Sequence, residues 1–85
     1  MTSSTTHSFR SRFRLLPTSV QHLARKNFKL WQEDPEHRSL RFKKVGRYWS
    51  ARVGARYRVL ARIQGNHAEW FWIGPHDEYE RLLKQ

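Results

Sequence analysis

Nine basic residues and no acidic one lie between Arg38 and Arg62: Arg38, Arg41, Lys43, Lys44, Arg47, Arg52, Arg56, Arg58 and Arg62. Two of these can be placed against each other from periodicity alone. Apolar residues alternate at Trp49, Ala51 and Val53, and again at Tyr57, Val59, Ala61 and Ile63, which is the two-residue period of a strand. If Val53 pairs with Tyr57 across the Gly54 to Arg56 loop, Arg52 stands opposite Arg58 on one sheet face. Like charges directly opposite are destabilising. Guanidinium forks match phosphate oxygens bidentately, so an arginine pair with no acid in its stretch reads as an anion site. Carrying the register through a Gly65-Asn66 turn pairs Arg62 with Glu69, a favourable charge match. The next strand, through Ala68, Trp70 and Trp72, runs past Arg58 toward Gly74 and brings His76 to the same end of the sheet. A histidine beside two arginines is a general acid or base next to an anion clamp, and its competing reading is a surface histidine in a helix N-terminal turn. With no carboxylate between the two arginines, removing either is expected to keep or raise thermal stability.

Composition narrows the classes open to such a site. The chain has 85 residues, 38% apolar and 14% aromatic, enough for one small core and a single domain, and too hydrophobic for a disordered basic tail. Its 17 Lys and Arg against 7 Asp and Glu give a formal net charge of +10, which points to a polyanionic partner. The absence of cysteine excludes a disulfide framework, a thiol nucleophile and Cys-ligated metal. His7, His22, His37, His67 and His76 show no HExxH or i,i+4 pairing, so neither a metal nor another cofactor is expected. Serine-nucleophile motifs and glycine-rich phosphate loops are also missing. No apolar run approaches the roughly 20 residues that span a bilayer, nor is there an apolar signal core, so a cytoplasmic protein without membrane association is expected.

Local pattern then supplies the elements that position these residues. The polar start MTSSTTHS predicts a flexible terminus over residues 1–8, followed by one domain over 9–85. Phe9, Phe13 and Leu16 recur at helical spacing, although Phe9, Phe13 and Leu15 also alternate with arginines as in a strand; upstream Ser and Thr caps and the stop at Pro17 favour helix. Thr18 with Gln21 suggests a capping box opening a second helix, with Val20, Leu23, Ala24, Leu30 and Trp31 on one face and an end before Pro35. From Leu40 and Phe42 onward the period is two, giving four strands, the last three an antiparallel meander. His76 to Lys84 predicts a short C-terminal helix, with Asp77, Glu78 and Glu80 in its first turns where the macrodipole favours acid. The expected fold is α+β: an N-terminal αα-hairpin on one face of a four-stranded, mainly antiparallel sheet. Trp49, Ala51, Val59, Ala61, Trp70 and Trp72 would share the helix-covered face, leaving Tyr48, Ser50, Arg52, Arg58 and Arg62 on a bare one.

Two helices around an LP turn, then SLRFKKV, YWSARVGARYRVLARI and WFWIGPHDEYERLL, resemble the RelE/ParE superfamily of type II toxin-antitoxin toxins from Phe9 to Leu83. The resemblance implies one of two activities. RelE-like members are small ribonucleases that cut messenger RNA in the ribosomal A site, whereas ParE-like members poison DNA gyrase. It places Arg58 on the arginine of the RelE-like YRL strand, Arg52 on a basic position of the preceding strand, and His76 and Tyr79 near the C-terminal His, Arg or Tyr of such nucleases. Some relatives carry a glutamate base before the second strand; here HRSLRFKK is basic and Glu36 is the only acid nearby, so the general base is unassigned. A cognate antitoxin is the implied partner, with the toxin a monomer alone or a hetero-oligomer with it.

Metal-independent RNA cleavage needs a base for the 2′-OH, a cation for the phosphorane and an acid for the leaving 5′ oxygen. Arg52, Arg58, His76 and Tyr79 are the catalytic candidates, with Arg41, Lys43, Lys44, Arg47, Arg56 and Arg62 as RNA contacts. Tyr79 also fits a helix packing on the sheet together with Leu82 and Leu83, and Trp31, Trp70 and Trp72 read as core rather than as base-stacking platforms. A ribosome-dependent messenger RNA endonuclease is the leading expectation, followed by a gyrase inhibitor without chemistry and a non-catalytic nucleic-acid-binding module.

Overall fold

The Thr6 hydroxyl accepts the Phe9 N–H at 3.0 Å and so caps helix α1, His7–Arg14, in this computed structural model. The structure describes residues 1–84; the final residue of the expected 9–85 domain, Gln85, lies outside the described residues. Ahead of α1, the segment read as flexible is an edge strand, β1, Thr2–Thr5. It carries no apolar alternation to announce itself, and is held by parallel pairing to β5, His67–Pro75. His67 adds contacts of its own, at 2.7 Å to the Thr2 hydroxyl and 2.9 Å to that of Ser4.

Pro17 separates α1 from α2, Thr18–Glu33. The expected capping box does not form. The Gln21 side chain turns back instead and donates to the Leu16 carbonyl at 3.0 Å, tying the two helices across the proline. Beyond α2, the first expected strand at Leu40 to Phe42 is displaced: Arg38–Leu40 form a 3-10 turn that seats Leu40 in the core, and β2 is Lys43–Val45. Strands β3, Tyr48–Val53, and β4, Tyr57–Gln64, follow, and α3, His76–Leu83, ends the described chain. The sheet has five strands in the order β1-β5-β4-β3-β2, antiparallel except for β1.

The principal core lies between the sheet and the hairpin, where Trp31 meets Trp70 edge-on at 5.2 Å and Ala51, Val53, Val59 and Ala61 form the floor. A register slip between Leu60 and Ala61 changes the other face. Ala61 pairs with Trp70 but Leu60 pairs with Trp72, so Phe71 is an additional residue bulged out of β5. Past a bulge the alternation reverses. Trp72 therefore leaves the hairpin face, contrary to its expected place, and packs with Leu60 and Tyr79 in a second cluster under α3. The face expected to be bare is covered at its centre, and Ser50 on it is only 2% exposed. The α+β class and the hairpin-on-sheet layering are as the sequence implied, with one strand more.

Candidate functional site

Arg52 and Arg58 face each other across β3 and β4, in the register that periodicity implied. The Asn27 side-chain amide donates to the Arg52 carbonyl at 3.2 Å, which fixes that stretch of β3 against α2. Arg52 Nε is buried without a hydrogen-bond partner. Arg58 is anchored differently: its Nη1 donates to the Tyr57 carbonyl at 2.8 Å and to that of Ala55 at 3.3 Å. Burial holds the Arg58 pKa below the ordinary arginine value, and Arg52 pushes the same way. Arg41 adds to that effect, while Tyr79 and Glu80 oppose it. The excess of positive charge is what a bound anion would relieve.

The β5-to-α3 junction brings the histidine in. The His76 backbone N–H donates to the Arg56 carbonyl at 2.7 Å, so the start of α3 is pinned to the β3–β4 loop. One turn later Glu80 lies 3.0 Å from His76 Nε2. When the ring is neutral, a carboxylate acceptor places the hydrogen on Nε2 and leaves Nδ1 as the acceptor. Arg52, Arg56, Tyr57, Arg58, His76 and Asp77 then line one open cleft of about 650 Å³. An adjoining cleft of about 660 Å³ is lined by Arg38, Arg41, Lys43 and, again, Arg52.

The remaining candidates are distributed by register. Tyr79 is 6% exposed, packs on Leu60 and Trp72, and lines neither cleft. Lys44 pairs with Trp49 and Arg47 sits in the β2–β3 turn, at the far end of β3 from Arg52. Arg62 is bound to Glu69 at 3.2 Å and lies 4.0 Å over the Phe71 ring. Glu36 is exposed beyond α2, outside both clefts. Glu80, Asp77 and Arg38 were not among the candidates. The i,i+4 spacing of His76 and Glu80 on a predicted helix was the available signal for the first of them. Among the described residues no three His, Asp or Glu side chains are grouped to hold a metal ion, and no helix is long and apolar enough to cross a membrane.

A family model of the ParE-like toxin domain matches residues 18–81. The chain belongs to this family. The resemblance to the RelE/ParE superfamily is thereby established, and this ParE-like domain shares its fold with solved toxins. The YoeB/ParE toxin from Agrobacterium tumefaciens superposes with a TM-score of 0.71 at 16% identity, covering 89% of this chain and 99% of that one. YafQ from E. coli strain BL21(DE3) gives 0.71 at 10% identity over 91% and 94% of the two chains. A chain of the RelB-RelE antitoxin-toxin complex from Methanococcus jannaschii gives 0.66 at 19% identity over 92% and 95%. A search of curated proteins finds no match.

Proposed function

We propose that this ParE-like domain is the toxin of a type II toxin-antitoxin pair and acts as a ribosome-dependent, metal-independent endoribonuclease on messenger RNA. The observation that carries the proposal is the convergence of Arg52, Arg58 and His76 on one open cleft, with Glu80 held 3.0 Å from His76 Nε2. Arg52 and Arg58 would hold the non-bridging oxygens of the scissile phosphate and offset the charge that develops in the phosphorane. Glu80 orients His76, whose Nδ1 would take the 2′-OH proton or, as imidazolium, protonate the leaving 5′ oxygen. Asp77, the carboxylate in the cleft wall, is the candidate for the other transfer. So few groups need the message held in line for attack, which makes free RNA a poor substrate and the ribosome the natural positioning device.

The basic face also explains an antitoxin. A surface of net charge +10 is best silenced by an acidic segment that folds on binding, and solved relatives include a RelB-RelE complex. Induced expression in bacteria is expected to halt translation and leave cut messages, with His76→Ala and Arg58→Ala relieving both. Normal translation on induction overturns the proposal. The ParE-like family match favours a second reading, a gyrase poison without chemistry. An induced DNA-damage response with intact messenger RNA would establish it.

A further inference from the structure

We propose that the gap between the helical hairpin and the sheet is a binding site for a small aromatic carboxylate, separate from the arginine cleft. The two helices part at Pro17: α1 rests on β5 and α2 on β3, so neither packs chiefly on β4, the strand between them. Small side chains floor the gap, Ala51 and Val53 of β3 and Val59 of β4, with Ala24 of α2 beside them. A partly open cavity of about 250 Å³ results. Protein interiors hold few voids larger than a water molecule, and an apolar cavity of about 150 Å³ already takes benzene, so this one has room for about two fused rings. A helix, about 10 Å across with its side chains, does not fit, which favours a small molecule over a docked protein segment.

The wall residues define the ligand. Phe9 and Phe13 of α1, Phe28 and Trp31 of α2, and Trp70 of β5 bound the space with aromatic rings. Phe28 is exposed although it stacks with Trp31 at 6.1 Å, and so leaves apolar surface that a ligand ring would cover. No acid lies in the wall, and its cations are Arg10 and Arg25. Arg52 joins it only at a position whose side chain alternates to the other sheet face, since Ala51 and Val53 on either side belong to the hairpin-side core. Both cations are held in place. Arg10 Nη1 donates to the Thr5 carbonyl at 2.6 Å and to the Thr5 hydroxyl at 3.1 Å, and the Arg25 guanidinium lies 4.8 Å over the Phe13 ring. A guanidinium has five N–H donors, so each arginine keeps donors for a carboxylate. Two further donors of wall residues, the indole N–H groups of Trp31 and Trp70, are buried without a hydrogen-bond partner, a state that native interiors leave few polar groups in. An aromatic body fits the rings, and one carboxylate answers the excess of donors.

The test titrates the full chain with naphthalene-2-carboxylate and, as the neutral control, 2-naphthalenemethanol, at constant ionic strength. Calorimetry gives the affinity, and the indole N–H resonances of the ¹⁵N-labelled protein give the place. The carboxylate is expected to bind with a Kd below about 1 mM, and about tenfold more tightly than the alcohol. The Trp31 and Trp70 signals should move most, ahead of Trp49 and Trp72, which lie outside the wall. Inorganic phosphate, which competes for the arginine cleft, should leave the binding unchanged. Ala24→Leu fills the cavity from α2 and should weaken binding more than tenfold. Phe28→Ala, at an exposed position that the fold tolerates, should weaken it severalfold and decides the matter if Ala24→Leu does not fold. No binding, equal affinity for acid and alcohol, displacement by phosphate, or unaltered affinity in the folded variants overturns the proposal. With no nucleic acid present, these outcomes are independent of whether the domain cleaves messages.

Discussion

Arg52 and Arg58 occupy mirrored positions in one strand pair, yet truncating them should move stability in opposite directions. Replacing Arg52 by Met keeps an unbranched apolar stem of similar reach and removes the buried, unpartnered Nε. An unsatisfied buried N–H costs about 1–3 kcal/mol, so its removal is stabilising. Relief of the cross-strand repulsion with Arg58 adds about 0.2–1 kcal/mol. Some stem packing is lost, leaving a net gain of about 1–2 kcal/mol. For a domain of this size that raises Tm by roughly 5–10 °C. Arg58→Met relieves the same repulsion but forfeits the bonds to the Tyr57 and Ala55 carbonyls. At about 1 kcal/mol for each net bond, it should lower stability by about 1 kcal/mol. The expectation from sequence, that either removal is harmless, is thus revised for Arg58 by two backbone acceptors that no pattern announces. Differential scanning calorimetry of both variants at equal ionic strength reads the contrast, and binding of an all-deoxy trinucleotide, which cannot be cleaved through a 2′-OH, should weaken in both. A destabilised Arg52→Met protein would mean that its Nε is satisfied in solution, and would remove the case for an anion site there.

Further expectations follow from single contacts. Gly74→Ala would drive a Cβ to 2.7 Å from Trp72 Cζ2, and should cost about 1–3 kcal/mol in urea unfolding; an unchanged midpoint would show that the indole can shift. His67→Ala removes the link between β5 and the Thr2 and Ser4 hydroxyls, so the β1 amides should exchange with deuterium faster while those of β4 do not. Glu80→Ala should leave the melting temperature within about 0.5 kcal/mol equivalent, since both side chains of the pair are about half exposed, yet slow message cleavage by disorienting His76. Full toxicity of Glu80→Ala would remove that carboxylate from the site.

How much could be foreseen depended on how local the determinant was. The Arg52–Arg58 and Arg62–Glu69 pairs were legible because strict two-residue alternation flanks short turns, so register follows from turn position. Pro17 and Pro35 marked the helix limits for equally local reasons, through lost N–H donors and excluded backbone angles. The gathering of His76 with the arginines followed from strand direction alone. The run Trp70-Phe71-Trp72-Ile73 is apolar at every position and therefore carries no alternation, so nothing in it could reveal the bulge that sends Trp70 and Trp72 to opposite faces. That displacement was decided by packing, because α3 needed a seat and Trp72 with Leu60 and Tyr79 provides one. The same seat withdrew Tyr79 from the cleft. Strand β1 is likewise a tertiary outcome: four small polar residues have no apolar face to bury and become a strand only because β5 offers its open edge. The types and order of the functional residues belong to the sequence, since charge and period are local properties. Which of them share a cleft, and how Arg52 comes to line two, was decided by the sheet register and the bulge, both of which depend on contacts distant in the chain.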